Sequence, residues 1–141
     1  METSVSLTDL FESLDAPLAN NRWSWGSVRA DGTVFLRVWQ DGTARKDGKL
    51  LVQVTHLEKY GDGRGRDNLG YAERLAHVDM IRNGARCYLV MCLAQDPSVH
   101  DAPRVIKSFN SKDLFVGGPL HEIDGDSWVE IVDRVPVSAV A

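Results

Sequence analysis

Apolar residues recur along this chain at two spacings, three-to-four and two, and the switches between them divide it into elements. In SLTDLFESL, Leu7, Leu10, Phe11 and Leu14 fall at i, i+3, i+4 and i+7, with Ser6 placed to cap and Asp9 three residues on. This predicts a short amphipathic helix, closed off by Pro17. From Arg22 the spacing changes to two. Val34, Leu36 and Val38 alternate with Phe35, Arg37 and Trp39, and Ala30-Asp31-Gly32 separates that run from NRWSWGSV, so the segment reads as a hairpin. Leu50, Val52 and Val54, alternating with Leu51, Gln53 and Thr55, predict a third strand, with DGTARKDGK as the connection before it. The stretch KYGDGRGRDNLG, four glycines in twelve residues, reads as a surface loop.

The run YAERLAHVDMIRNG predicts the main helix, with Tyr71, Leu75, Val78 and Ile81 on one stripe, Glu73, Arg74 and His77 on a polar flank, and Asn83-Gly84 as its stop. CYLVMCLA is continuously apolar and reads as a central strand buried on both faces. Beyond a loop from Gln95 to Pro103, RVIKSF reads as a strand and SKDLFVGG as a turn-rich connection. Asp124-Gly125 then joins two alternating runs as a final hairpin. About seven strands, mostly in hairpins, with one main helix after the third and a short helix at the start, predict an α+β fold. Its sheet is expected to be curved, mixed or mostly antiparallel, or a partly open barrel. A doubly wound parallel sheet does not fit, because strands and helices do not alternate. At 141 residues the chain fits a single domain spanning 1–141.

Composition removes several function classes. No segment approaches about 18 consecutive apolar residues, and METSVSLTDLFESL lacks the basic start of a signal peptide. The expectation is a cytoplasmic protein with no membrane partner. Cys87 and Cys92 are five apart in a strand, hence on opposite faces, which precludes a local disulfide or a shared metal and predicts two small buried hydrophobes. A net charge of −4 removes the argument from a globally basic protein, so any nucleic-acid contact needs a local basic patch.

The familiar chemical motifs are missing. The glycine-rich loop lacks the Gly-Lys-Ser/Thr ending of a phosphate loop, no serine sits in a glycine elbow, and His56, His77, His100 and His121 lie far apart. Asp124, Asp126 and Glu130 with Lys107 suggest a metal-dependent nuclease only until Glu130-Ile131-Val132 is read, which has no lysine; solvation of a hairpin is the simpler role. No metal or cofactor is implied. What remains is aromatic and basic. Trp23, Trp25, Phe35 and Trp39 belong to two strands predicted to pair, with Arg22, Arg29 and Arg37 among them. Such a surface stacks a planar base and holds phosphate, or else it is core; the way one strand faces decides. Arg64, Arg66 and Arg74, with Arg82 and Arg86 nearby, are candidates for the local basic patch, and His77 for a phosphate or base contact, against a solvated loop and helix face.

The patterns R-W-S-W-G-x-V, D-G-x-V-F-L-R-V-W, Y-x-E-R-L-x-H-x-x-x-I-R-x-G-A and I-K-S-F, between Arg22 and Pro136, resemble a recognition module found ahead of HNH nuclease domains in bacterial restriction-type proteins. The architecture is similar to PUA-like folds, including EVE and ASCH domains, whose curved barrels accept bases. That resemblance implies Trp23, Trp25 and Trp39 as a pocket wall, Arg74 and His77 as contacts from the helix, and Lys107, Ser108 and Phe109 as the opposite rim. The chain departs from that pattern in showing no HNH segment, so cleavage would come from a separate nuclease subunit or be absent. Three readings follow. The first is a nucleic-acid-binding module linked to restriction or defence that recognises a modified or flipped base in DNA or RNA. The second is a small enzyme acting on a nucleotide or nucleic acid through His77 and Arg74. The third is a protein-interaction or regulatory subunit. Oligomeric state is not readable from the sequence.

Overall fold

The computed structural model describes residues 6–20, 24–55, 69–96 and 106–140. Arg22, Trp23, His56, His100, Arg64, Arg66 and most of the glycine-rich stretch lie outside the described residues. Helix α1 (Leu7–Ser13) starts at the expected place: Ser6 Oγ accepts from the Asp9 N–H at 3.0 Å and the Asp9 carboxylate accepts from the Ser6 N–H, a reciprocal capping box. The strands are β1 (Gly26–Val28), β2 (Val34–Trp39), β3 (Thr43–Lys46), β4 (Lys49–Gln53), β5 (Cys87–Ala94), β6 (Ile106–Phe109), β7 (Asp113–Ile123) and β8 (Asp126–Pro136). Helix α2 (Leu69–Arg82) lies between β4 and β5. None of the described helices is long and apolar enough to cross a membrane.

One sheet runs β1-β2-β5-β7-β8-β4-β3, with β6 beside the far half of β5. Only β2 and β5 pair in parallel; every other ladder is antiparallel. The fold is therefore α+β with a mostly antiparallel sheet. Alternation along β2 sorts its side chains as the sequence predicts. Val34, Leu36 and Val38 enter one buried cluster with Val52, Val54, Leu89 and Val129, and with Val78 and Ile81 of α2. Because β2 and β4 are four ladders apart, they share a core only if the sheet curls back on itself. It does so without closing among the described residues: no ladder there joins the β1/β2 side to the β4/β3 side, and α2 lies against this seam.

Phe35, on the other face of β2, belongs to an outer cluster with Val90, Cys92 and Leu114, roofed by Leu10, Phe11 and Leu14 around α1. Phe35 and Tyr88 stack there at 5.7 Å. Arg29 fastens this layer, sitting over the Phe35 ring at 5.4 Å and donating to the Val140 carbonyl at 2.8 Å. Cys87 and Cys92 point to opposite faces and both are buried, as their spacing requires.

Two segments read as connections are strands. DGTARKDGK contains β3, joined to β4 by a two-residue turn in which Asp47 (φ 52) and Gly48 (φ 77) are both left-handed. β3 shows no apolar alternation because most of it is exposed on both faces, at the edge of the sheet. SKDLFVGG belongs largely to β7, which runs through Gly117-Gly118-Pro119 with irregular register. A β-carbon on Gly117 would stand 3.0 Å from Val129 and 3.1 Å from Cys87, so the glycine that reads as a turn signal instead lets two strands close over the core.

Gly26 shows the same constraint more sharply, because its β-carbon would run into the Phe35 carbonyl oxygen, a backbone atom that cannot rotate away. A β-carbon on Gly118 would meet only a methyl of the exposed Val132. Gly26→Ala is expected to destabilise the protein by about 1–3 kcal/mol and Gly118→Ala by clearly less, measured as the shift in urea midpoint.

Candidate functional site

The buried face of α2 is Tyr71, Arg74, His77, Val78 and Ile81, while Leu75 is 45% exposed. The predicted stripe therefore needs one correction: Arg74 replaces Leu75, and neither Arg74 nor His77 lies on a polar flank. The spacing 71, 74, 78, 81 is as helical as 71, 75, 78, so periodicity alone favours the leucine for its chemistry. The seam supplies the physical reason. Arg74, 3% exposed, donates to the Val54 carbonyl just past β4 at 3.1 Å, to the Trp25 carbonyl just before β1 at 3.1 Å, and to the Arg37 carbonyl of β2. These oxygens come from both banks of the seam; the Trp25 carbonyl also accepts from the Arg37 N–H at 2.9 Å, whereas for the Val54 and Arg37 carbonyls the guanidinium is the donor that the seam provides. Burial pulls the guanidinium down to about 10, with the Arg37 charge adding to the effect, so it stays protonated at neutral pH.

Trp25 completes this clasp. Its ring lies 5.6 Å from the Arg74 guanidinium and meets Tyr71 edge-on at 6.0 Å, while its backbone N–H donates to Glu73 at 3.0 Å. The other Glu73 oxygen accepts from Ser24 Oγ at 2.9 Å. Sequence reasoning put Glu73 on the solvent side and gave no signal for this role. His77 is 8% exposed, and its Nδ1 has no hydrogen-bond partner among the described residues. Burial lowers its pKa, with Glu73 opposing the shift and Arg74 adding to it.

A second group assembles on the outer face. Register sets Trp39 of β2 beside Cys92 of β5, and Cys92 beside Phe109 of β6, so the indole and the phenyl ring flank a thiol across three adjacent strands. Both rings are half-buried against the outer cluster. Arg37, two residues before Trp39 and opposite Val90, is also half-buried, and no carboxylate holds its guanidinium among the described residues. Burial lowers its pKa, opposed by Cys92 and Glu73. Lys107 and Ser108 are exposed on β6 next to Phe109.

The candidate residues thus divide: Trp25, Arg74 and His77 at the seam, and Arg37, Trp39, Lys107, Ser108 and Phe109 at the far end of the outer face. Trp23 lies outside the described residues. Trp25 and Trp39 do not form the single surface that strand alternation predicts. Trp25 stands just before the first ladder pair, Gly26 with Leu36; its carbonyl still accepts from the Arg37 N–H, but its backbone N–H turns to Glu73 instead of completing the pair, and its ring packs with Tyr71 and Arg74 of α2. Of the expected basic patch, Arg64 and Arg66 lie outside the described residues, Arg74 is buried, and Arg82 is shared between Asp79 at 2.9 Å and Glu122 at 3.0 Å. Arg86 is exposed and lines a shallow depression of about 550 Å³ with Asp31, Asn83 and Asp79, at the opposite end of α2 from Arg74.

Nucleophilic chemistry finds little footing. Burial pushes the Cys87 thiol up to about 12 and the Cys92 thiol up to about 11, so neither is a thiolate at neutral pH. Asp126 accepts from Thr55 at 2.8 Å and Gln53 at 3.1 Å, and Glu130 contacts His121 at 3.1 Å, so these carboxylates tie the last hairpin to its surroundings. No cluster of three metal-ligating side chains occurs among the described residues. Comparison with protein families, with curated proteins and with solved structures finds no match.

Removing the Arg74 side chain leaves the Val54 and Arg37 carbonyls without their donor, each costing about 1–3 kcal/mol, and takes one of two donors from the Trp25 carbonyl. Arg74→Ala is therefore expected to lose about 3 kcal/mol or more in urea denaturation, and Arg74→Lys to recover only part, since one ammonium cannot span the seam. His77 adds a pH dependence. Its folded pKa lies below the ordinary 6.5, so the unfolded chain takes up the proton first. Stability should hold above neutrality and fall as pH drops through the unfolded value, levelling off once the folded ring also titrates. Urea midpoints at about pH 7.5 and about pH 5.5 should differ in the wild type and differ less in His77→Gln.

Proposed function

We propose that the protein is a nucleic-acid-binding module that takes an unpaired, modified or flipped base against Trp39 and Phe109, with Arg37 holding the adjoining phosphate. The observation that carries this reading is Arg37, a half-buried guanidinium with no carboxylate in ion-pair contact among the described residues and Glu73 acting on it only from a distance, next to two half-buried aromatic rings on a three-strand platform. A partly desolvated charge without a partner is costly, and an anionic ligand offsets that cost. Guanidinium matches phosphate with paired N–H donors, and an aromatic face stacks any base. The net charge of −4 disfavours long contacts with a duplex backbone, so a single strand or one extruded nucleotide is the better-matched ligand.

The seam residues act behind this surface. Arg74 binds the Arg37 carbonyl and so fixes the backbone from which Arg37 and Trp39 project. An enzyme built on Arg74 and His77 is disfavoured, because Arg74 is given over to carbonyls and His77 is buried.

Fluorescence titration with short DNA and RNA oligonucleotides at low salt tests the reading. Base stacking of ~1–3 kcal/mol predicts that Trp39→Ala weakens binding by roughly 10- to 100-fold, with the far-ultraviolet circular dichroism of the wild type. No binding to any plain or modified oligonucleotide, or an unchanged affinity in the variant, would overturn it.

A further inference from the structure

Residues 43–49, Thr-Ala-Arg-Lys-Asp-Gly-Lys, carry three cations and one carboxylate in a chain whose net charge is −4. They form β3, its tight turn and the first residue of β4, and Arg45, Lys46 and Lys49 are all exposed. The ladder sets Lys46 directly opposite Lys49, a like-charge pairing that costs stability in an antiparallel hairpin. Among the described residues no carboxylate relieves any of the three, whereas Arg29 and Arg134 each hold one and Arg82 holds two. β3 is also the last strand of the sheet among the described residues, and no described strand pairs with its outer backbone edge. The hairpin leaves the fold at the outer aromatic group: β2 ends at Trp39, a 3-10 turn occupies Gln40–Gly42, and β3 begins at Thr43. Six residues separate Trp39 from Arg45, a reach of at most about 22 Å. A stacked strand of about six nucleotides or fewer covers that distance at about 3.4 Å each.

We propose that the β3–β4 hairpin is the backbone-binding half of the nucleic-acid surface: a single strand whose base stacks at Trp39 runs on along the hairpin, with its phosphodiesters on Arg45, Lys46 and Lys49. This rests on the base-binding reading of Arg37 and Trp39 and extends it from one nucleotide to a short strand. It accounts for a hairpin that keeps facing lysines at a cost to its own stability. Edge lysines also discourage strand-to-strand aggregation, and that role predicts no dependence of ligand binding on their charge.

The test compares the wild type with the triple variant Arg45→Gln, Lys46→Gln, Lys49→Gln, using thymidine monophosphate and an oligothymidylate of about eight nucleotides as probes. Losing up to three phosphate contacts on a single strand should flatten the plot of log affinity against log salt by up to about 2 units. Oligonucleotide affinity at low salt should fall at least tenfold, the mononucleotide affinity should not change, and the thermal midpoint should hold or rise. An unchanged salt slope, with the wild type still binding both probes, would overturn the hairpin assignment alone and leave the lysines as edge protection. A wild type that binds neither probe would overturn the base-binding reading, and this inference with it.

Discussion

A sheet that curls without closing among the described residues brings two banks of backbone together with carbonyls still in need of donors, and one buried guanidinium bridges them. Arg74 reaches Val54 on one bank and Trp25 and Arg37 on the other. Arginine suits the task because its donors form a rigid planar fork and its charge survives burial. Other placements follow from it. Helix α2 must present Arg74 inward, which turns Tyr71, Val78 and Ile81 into the core and Leu75 into solvent. Glu73, one residue earlier, then meets Ser24 and the Trp25 N–H, so helix and first strand are held by opposite charges side by side. The cost is a buried cation with Arg37 close by, and Glu73 offsets part of it.

Much of the fold was legible in the sequence because local pattern and tertiary environment agree there. β2 is the clearest case: its aliphatic and aromatic positions enter two separate clusters, one inside the curl and one beneath α1. The Ser6 cap, the Asp124-Gly125 turn and the opposed cysteines rest on equally local rules. The failures share a cause. β3 buries almost nothing, so no periodicity could mark it. Gly117-Gly118-Pro119 has turn chemistry, but ladders on both sides carry β7 through it. Arg74 looked solvated because nothing local says that three carbonyls will converge on it. Each outcome was decided by strands distant in sequence.

Charge is distributed by the same logic. Arg29 and Arg82 hold carboxylates near the turns they brace, and Arg134 pairs with Asp113 where β7 and β8 meet. Hydrogen bonds from Arg29 and Thr33 hold the exposed Asp31 carboxyl well below the usual range, and Ser127 with Arg82 lower Glu122. These pairings consume much of the basic surface that composition promises. A net acidic chain can still present cations locally, provided they are not spent on its own carboxylates.

The two tryptophans separate on that criterion. Trp25 and Trp39 are both half-buried and both have an arginine at hand, so aromatic content cannot tell core from site. Arg74, over Trp25, has given its terminal donors to backbone oxygens, and the indole beneath it closes a structural clasp. Arg37, two residues from Trp39, holds no carboxylate among the described residues, although burial has already weakened its hydration. Glu73, which already accepts from Ser24 and the Trp25 backbone, offsets that burial only from a distance, so the Arg37 charge is less well compensated than that of Arg29 or Arg82. The first tryptophan therefore belongs to the architecture, and the second to the surface that architecture holds in place.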